Sequence, residues 1–158
     1  LWSQLQSNAI TRHRAEMFSN FLNTKKVGDF ANGNIYTLDT ANYTDNGSPV
    51  TFQLVGKHIF KEHKRVSVSR VEIEMETGVG LGSGQGSNPQ AMLRVSKDGG
   101  QVFGQDRFAS FGTFGQYDAR AIWRRWGGGR DFVFDLRITD PVKRVIVGAD
   151  IEVAAGVK

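Results

Sequence analysis

The stretch Gly112–Ala149, GTFGQYDARAIWRRWGGGRDFVFDLRITDPVKRVIVGA, repeats apolar side chains at a period of two and constrains the fold more than any other part of the chain. Across Arg130–Ile138, Phe132, Phe134, Leu136 and Ile138 fall on one face, and Val133, Asp135 and Arg137 on the other. Side chains alternate between the faces of a β-strand, whereas a helix would scatter this pattern around its axis. A half-buried strand is therefore expected, apolar inward and polar outward. Before it, Ile122, Arg124 and Trp126 alternate with Ala121, Trp123 and Arg125 within Tyr117–Trp126. Gly127-Gly128-Gly129 reads as the break between the two strands, and Thr139-Asp140-Pro141 as the turn after the second. Val145, Val147, Ala149, Ile151 and Val153 complete a final strand.

The same period governs the chain from Val27 onward. Val27–Phe30, a turn at Ala31-Asn32-Gly33-Asn34 and Ile35–Asp39 read as a hairpin, because Asn-Gly supplies the positive φ angles of a tight turn. A second Asn-Gly, Asn46-Gly47, with Pro49 after it, separates this unit from a strand at Val50–Gly56. Leu1–Leu22 is ambiguous; Ala15-Glu16-Met17-Phe18 is compatible with a short helix or an entering strand, and the strand is favoured. In Arg65–Thr77, Val66 and Val68 stand in one phase and Val71, Ile73 and Met75 in the other, which predicts a β-bulge near Ser69-Arg70. The outer positions Glu72, Glu74 and Glu76 then form a row of acids, read as solvated rather than metal-binding. Gly78–Pro89 has glycine at 78, 80, 82, 84 and 86, fits no dinucleotide fingerprint, and reads as a flexible loop. After a strand at Gln90–Val95, Ser96, Asp98, Gly100 and Phe103 match the Asp-box of sialidase-type propeller hairpins. That pattern predicts a structural turn, with Ser96 and Asp98 bonding its own backbone and the aromatic packed beneath. No amphipathic helix emerges. The expectation is an all-β chain of antiparallel sheets, residues 1–158 forming a single region with the 78–89 loop between two halves.

Composition narrows the function classes. At 158 residues, with 39% hydrophobic and 23% charged residues, the chain has the makings of one folded domain. Cysteine is absent, which removes disulfides and thiolate metal sites. His13, His58 and His63 form no i, i+4 pair, and no Walker sequence or G-x-S-x-G elbow occurs. Sixteen acidic residues leave open a carboxylate pair assembled in space, but an enzyme is not the expectation, and neither a cofactor nor a metal is implied. The net charge is +4, and Arg120–Arg144 carries the whole excess with seven basic residues against three acids. Arg120, Arg124, Arg125, Arg130, Lys143 and Arg144 are therefore the candidates to face a partner or DNA, against the alternative that they line a solvated face of a twisted sheet.

A resemblance makes the reading specific. Gly112, Gly115 and Tyr117, Trp123-Arg124-Arg125 with Gly127, Arg130-Asp131 with Val133-Phe134, and Thr139–Lys143 occur in an order that resembles one family. Arg12-His13-Arg14, Val27-Gly28-Asp29, Gly33–Tyr36, Tyr43–Gly47 and Ser87–Gln90 extend the likeness over residues 10 to 150. The family is the packaged-DNA stabilisation protein, or tail hub, of short-tailed phages of the Salmonella-podovirus type. Its members are much longer, so the chain, which opens on Leu1-Trp2 without an initiator methionine, is expected to be their C-terminal portion. Phe103 stands where the family tends to have tryptophan. The resemblance implies a structural virion protein, made in the host bacterial cytoplasm and carried in the virion tail, with no catalytic site and no small-molecule substrate. It implies as partners the portal adaptor ring, the tail needle or plug, and further copies of the chain in a hexameric ring, with double-stranded DNA in the channel as another candidate. Blade-like sheets and a β-sandwich are both compatible with it; at roughly 40–45 residues per blade, the chain would hold fewer than four. Two rivals remain. One is a glycan-binding, Asp-box propeller module of a phage tail or secreted protein, recognising sugars at aromatics such as Trp2 or Trp123. The other is a general DNA-binding module.

Overall fold

A computed structural model describes residues 7, 10–62 and 64–155, and every regular element among them is a strand. The strands belong to two compact units, one ending at Val50 and the other beginning at Thr51.

In the first unit, β1 (Ala15–Phe21), β2 (Thr24–Asp29) and β3 (Ile35–Thr37) form an antiparallel sheet in that order. Ala15–Phe18, left between helix and entering strand, is thus strand, as favoured. β4 (Thr44–Asp45) and β5 (Ser48–Pro49) make a separate small hairpin. Its two-residue turn is Asn46-Gly47, with φ of 49° and 79°, so the tight Asn-Gly turn lies here. The expected tight turn at 31–34 is a longer loop instead, in which Asn32 keeps a negative φ and the Asp29 N–H bonds the Asn34 carbonyl at 2.9 Å.

In the second unit, β6 (Phe52–Val55), β7 (Ile59–Phe60), β8 (Val66–Met75), β9 (Gln90–Ser96), β10 (Arg107–Ser110), β11 (Ala121–Gly129), β12 (Asp131–Ile138) and β13 (Ile146–Ala155) build two antiparallel sheets. One has the order β10-β9-β12-β6, with β7 also paired to β12, and the other β11-β8-β13. Val66, Val68, Val71, Ile73, Met75, Trp123 and Trp126 from the second sheet meet Leu93, Phe132, Phe134, Leu136 and Ile138 from the first, with Phe111 and Val142 closing the core. Of the two arrangements open to the sequence, these residues form the sandwich. Each fully buried Phe, Leu or Ile contributes about 1.5–3 kcal/mol through lost apolar hydration.

The phase change in β8 is real. Glu152 and Val153 on β13 face Arg70 and Val68, which leaves Ser69 as the extra residue. β11 answers with its own irregularity, Arg125 and Trp126 lying between Arg124 and Gly127, and Arg125 takes a left-handed φ of 62°. The strict alternation expected in β11 is thereby corrected, since Trp123 and Trp126 both turn into the core. The three glycines are no break. They continue β11 opposite Val68, Ser67 and Val66, and the chain passes to the other sheet at Arg130. A Cβ on Gly128 would lie 2.9 Å from the Arg65 guanidinium, and one on Gly129 3.0 Å from the Phe132 ring, so absent side chains let these neighbours close in.

Three other expectations change. β12 is not half-buried, because its second face is covered as well, with Val133 and Asp135 at 4% and 1% exposure. In β13 only Ile146 and Ile151 pack against the core, on either side of an irregularity before Gly148, while Val145, Val147, Ala149 and Val153 are exposed. The 78–89 loop is built into the sandwich at both ends. Gly78 stacks on the Tyr117 ring, Gly80 is wedged against the Phe114 and Ser87 backbone, and Gly86 and Pro89 are buried, so the exposed positions are the tip Leu81–Gln85 and Asn88.

Candidate interaction surfaces

The turn after β9 explains why the second face of β12 is buried. Ser96 Oγ donates to Asp98 Oδ1 at 2.5 Å and accepts the Gly100 N–H at 2.8 Å, and Asp98 Oδ1 accepts the N–H groups of Gln101 and Val102 at 3.1 Å. The Ser96 hydroxyl, with the Val102 and Gln101 amides, holds the Asp98 carboxyl below the usual aspartate range despite some burial. The turn then lies on β12, the Gly99 N–H bonding the Asp131 carbonyl at 3.2 Å and Gly100 packing on Val133. Beside it, buried Asp135 accepts from Arg94 Nε at 2.7 Å and from Gln53 Nε2 at 3.0 Å, and the Arg94 guanidinium covers the ring of half-buried Phe103. Arg137 Nη2 binds Asp106 at 2.5 Å. Charge on this face is consumed inside the molecule. Sequence reasoning missed this layer because its members come from β6, β9, β12 and the 98–106 segment, far apart in the chain.

Arg107 secures the bulge of β11. Its Nη1 donates to the carbonyls of Arg124 at 2.9 Å and Arg125 at 3.2 Å, its guanidinium sits 4.5 Å over the Trp126 ring, and its own carbonyl accepts the Trp123 indole N–H at 2.9 Å. Trp123, 4% exposed, is thus core and no platform for a sugar; Trp2 lies outside the described residues.

The six candidate cations separate into groups. Arg120 pairs with Glu72 at 3.7 Å and Lys143 with Glu76 at 2.8 Å, so part of the acid row is neutralised within the sandwich rather than merely solvated. Arg144 is partly buried. Arg124, Arg125 and Arg130 are exposed, and among the described residues their side chains form no ion pair. They present charge at the corner where β11 hands over to β12.

In the first unit, Arg14 brings together three segments that the resemblance had matched separately. Arg14 Nη1 binds Asp29 at 2.6 Å and its Nε binds Asp45 at 3.1 Å. Burial alone would raise the Asp29 carboxyl, but bonds from Arg14 and the Ala31 N–H outweigh it and hold the carboxyl below its ordinary value. The bond to Asp29 raises Arg14 in turn. Val27 is the buried hydrophobic residue among those described here, whereas Met17, Phe18, Phe21, Leu22 and Ile35 are between 63% and 83% exposed. Met17, Gly28 and Ile35 lie in one row across the sheet, so part of this apolar surface is continuous.

Among the described residues no three of His, Asp and Glu converge as metal ligands. His58 Nδ1 meets Asp131 at 2.8 Å, His13 Nδ1 accepts the Ala15 N–H at 3.2 Å, and His63 lies outside the described residues. Residues 51–155 thus form a β-sandwich with exposed arginines at the corner between β11 and β12. The chain belongs to the family described as bacteriophage P22 Gp10, beta-sandwich, whose model matches residues 51–154. No curated protein matches it. Membership makes it a structural protein of the phage tail, a virion component that meets other virion proteins.

Proposed function

We propose that the chain acts in a tail hub that stabilises packaged DNA by closing the portal channel and links the portal adaptor to the tail needle. The family match over the whole sandwich carries this reading. The surfaces favour it: an exposed apolar sheet in the first unit and unpaired arginines at the β11–β12 corner suit protein neighbours. In this reading the protein assembles with further copies into a hexameric ring, and Arg124, Arg125 and Arg130 pair with carboxylates of a neighbour or meet DNA in the channel. The Ser96–Phe103 turn has a structural part, keeping the outer face of β12 dry.

The decisive experiment uses DNA-filled heads bearing portal and adaptor, with and without the protein that carries this chain. Omission is expected to let DNA leak, and addition to restore both retention and needle attachment. Heads that retain DNA without the protein, and never incorporate it, would refute the hub role.

A further inference from the structure

We infer that the corner around Arg130 is a binding site for the phosphate backbone of duplex DNA, built from cations of four separate segments. Strand register gathers them. Asp131 pairs with Phe60 on β7 and with Asp98 in a parallel bridge, and Gly129 pairs with Val66 on β8. Lys61 follows Phe60, Lys97 precedes Asp98 and Arg65 precedes Val66. Their backbones therefore converge on Arg130, neighbouring strands lying about 5 Å apart. Lys64, bridged to Lys61, adds a fifth cation.

All five side chains are exposed. Bare glycines let two of them lie close to β11: Lys97 Nζ is 3.4 Å from where a Cβ on Gly127 would stand, and Arg65 Nε 2.9 Å from one on Gly128. The acids nearby are engaged elsewhere. Asp98 Oδ1 accepts the amides of its own turn, Asp131 meets His58 at 2.8 Å, and Glu62 reaches Lys64 at 3.7 Å. Among the described residues Lys61, Arg65, Lys97 and Arg130 form no ion pair. In the sequence the positive excess sits in Arg120–Arg144. The fold instead pairs Arg120 and Lys143 with the acid row, and brings Lys61, Lys64, Arg65 and Lys97 to Arg130.

Like charges held this close repel one another, and a dense polyanion relieves the repulsion. Duplex DNA carries one negative charge for roughly every 1.7 Å of its axis, so several phosphates fall within reach of one corner. Lysine and arginine contacts to phosphate fix position without reading bases. Binding is therefore sequence-independent and salt-dependent, each phosphate neutralised adding about 0.9 to the slope of log affinity against log salt. Of the three arginines that the proposed function turns toward a neighbour or DNA, Arg130 is thereby assigned to DNA.

This inference rests on the DNA-facing part of the proposed function and not on ring assembly or needle attachment. The probe is a fluorescent duplex of arbitrary sequence, titrated with the chain between about 50 and 200 mM salt. Affinity is expected to fall at least tenfold over that range and to be the same for a second, unrelated sequence. Lys61→Gln with Lys97→Gln should weaken binding at low salt at least fivefold and reduce the salt slope by about 2. Arg120→Gln, on the acid row, should change neither. A readout without variants is the thermal midpoint of the wild type, which the duplex should raise at low salt and leave unmoved at high salt. Absence of binding at low salt, a slope untouched by the Lys61 and Lys97 pair, or tighter binding to polyglutamate than to the duplex would each overturn the inference. A duplex that never binds, with heads that still leak when the protein is omitted, would sink this site and leave the hub reading standing.

Discussion

Asp98 shows how one carboxylate can hold a turn in place and what acid should do to it. Its folded pKa lies below its value in the unfolded chain, so the unfolded state takes up the proton first as pH falls. The stability it contributes is complete above the unfolded value of about 4 and is lost as pH drops through the lower folded value. Asp98→Asn keeps an acceptor for the Gln101 and Val102 amides but removes the charge. Urea midpoints between about pH 6 and pH 2 should therefore fall less steeply in D98N than in the wild type. Parallel acid limbs would show that the carboxylate's charge contributes nothing here. The arginines have the opposite character. Arg94 and Arg137 serve buried or half-buried carboxylates, whereas Arg124 and Arg125 are held outward by a bulge that another arginine, Arg107, secures.

Among the elements, the glycine-rich loop and the Gly112–Tyr117 segment form one interlocked structure. The Gly115 N–H bonds the Gly78 carbonyl at 3.2 Å, and Thr77 Oγ1 donates to the Tyr117 carbonyl at 2.9 Å. A Cβ on Gly80 would stand 2.8 Å from the Phe114 nitrogen and 2.9 Å from the Ser87 carbonyl oxygen. One on Gly112 would lie 2.6 Å from the Gln116 oxygen, on a backbone already at φ +102°. Backbone atoms cannot swing aside as a flexible side chain can. Gly80→Ala and Gly112→Ala should each cost more than about 2 kcal/mol. Gly82, with nothing within 4 Å, should accept alanine within about 0.5 kcal/mol. Chemical denaturation of the three variants checks this, and equal losses at Gly80 and Gly82 would mean that the interlock is not rigid.

For the molecule as a whole, the two units rest on different physics. The sandwich has a continuous apolar core, whereas the first unit has the Arg14 cluster and little buried hydrocarbon. Arg14→Ala strands Asp29, whose side chain is wholly buried. Hydrogen exchange should then lose protection across β1–β3 while β8, β9 and β12 keep theirs; protection retained in β1–β3 would show that the cluster is dispensable. The sequence by itself determined that the chain is all-β and antiparallel, where most strands run, and that β8 is bulged near Ser69-Arg70, because alternation is a local property of neighbouring residues. It marked the Ser96–Phe103 turn for the same reason, since every bond in that turn spans a few positions. Only the tertiary structure decided that both tryptophans face inward, that Gly127–Gly129 continue a strand, and that the second face of β12 is dry. It alone divided the cations into Arg120 and Lys143, paired with the acid row, and Arg124, Arg125 and Arg130, left outward. Each of those outcomes depends on which strand lies beside which, with partners about 30 to 80 positions away, and a period of two carries no record of that.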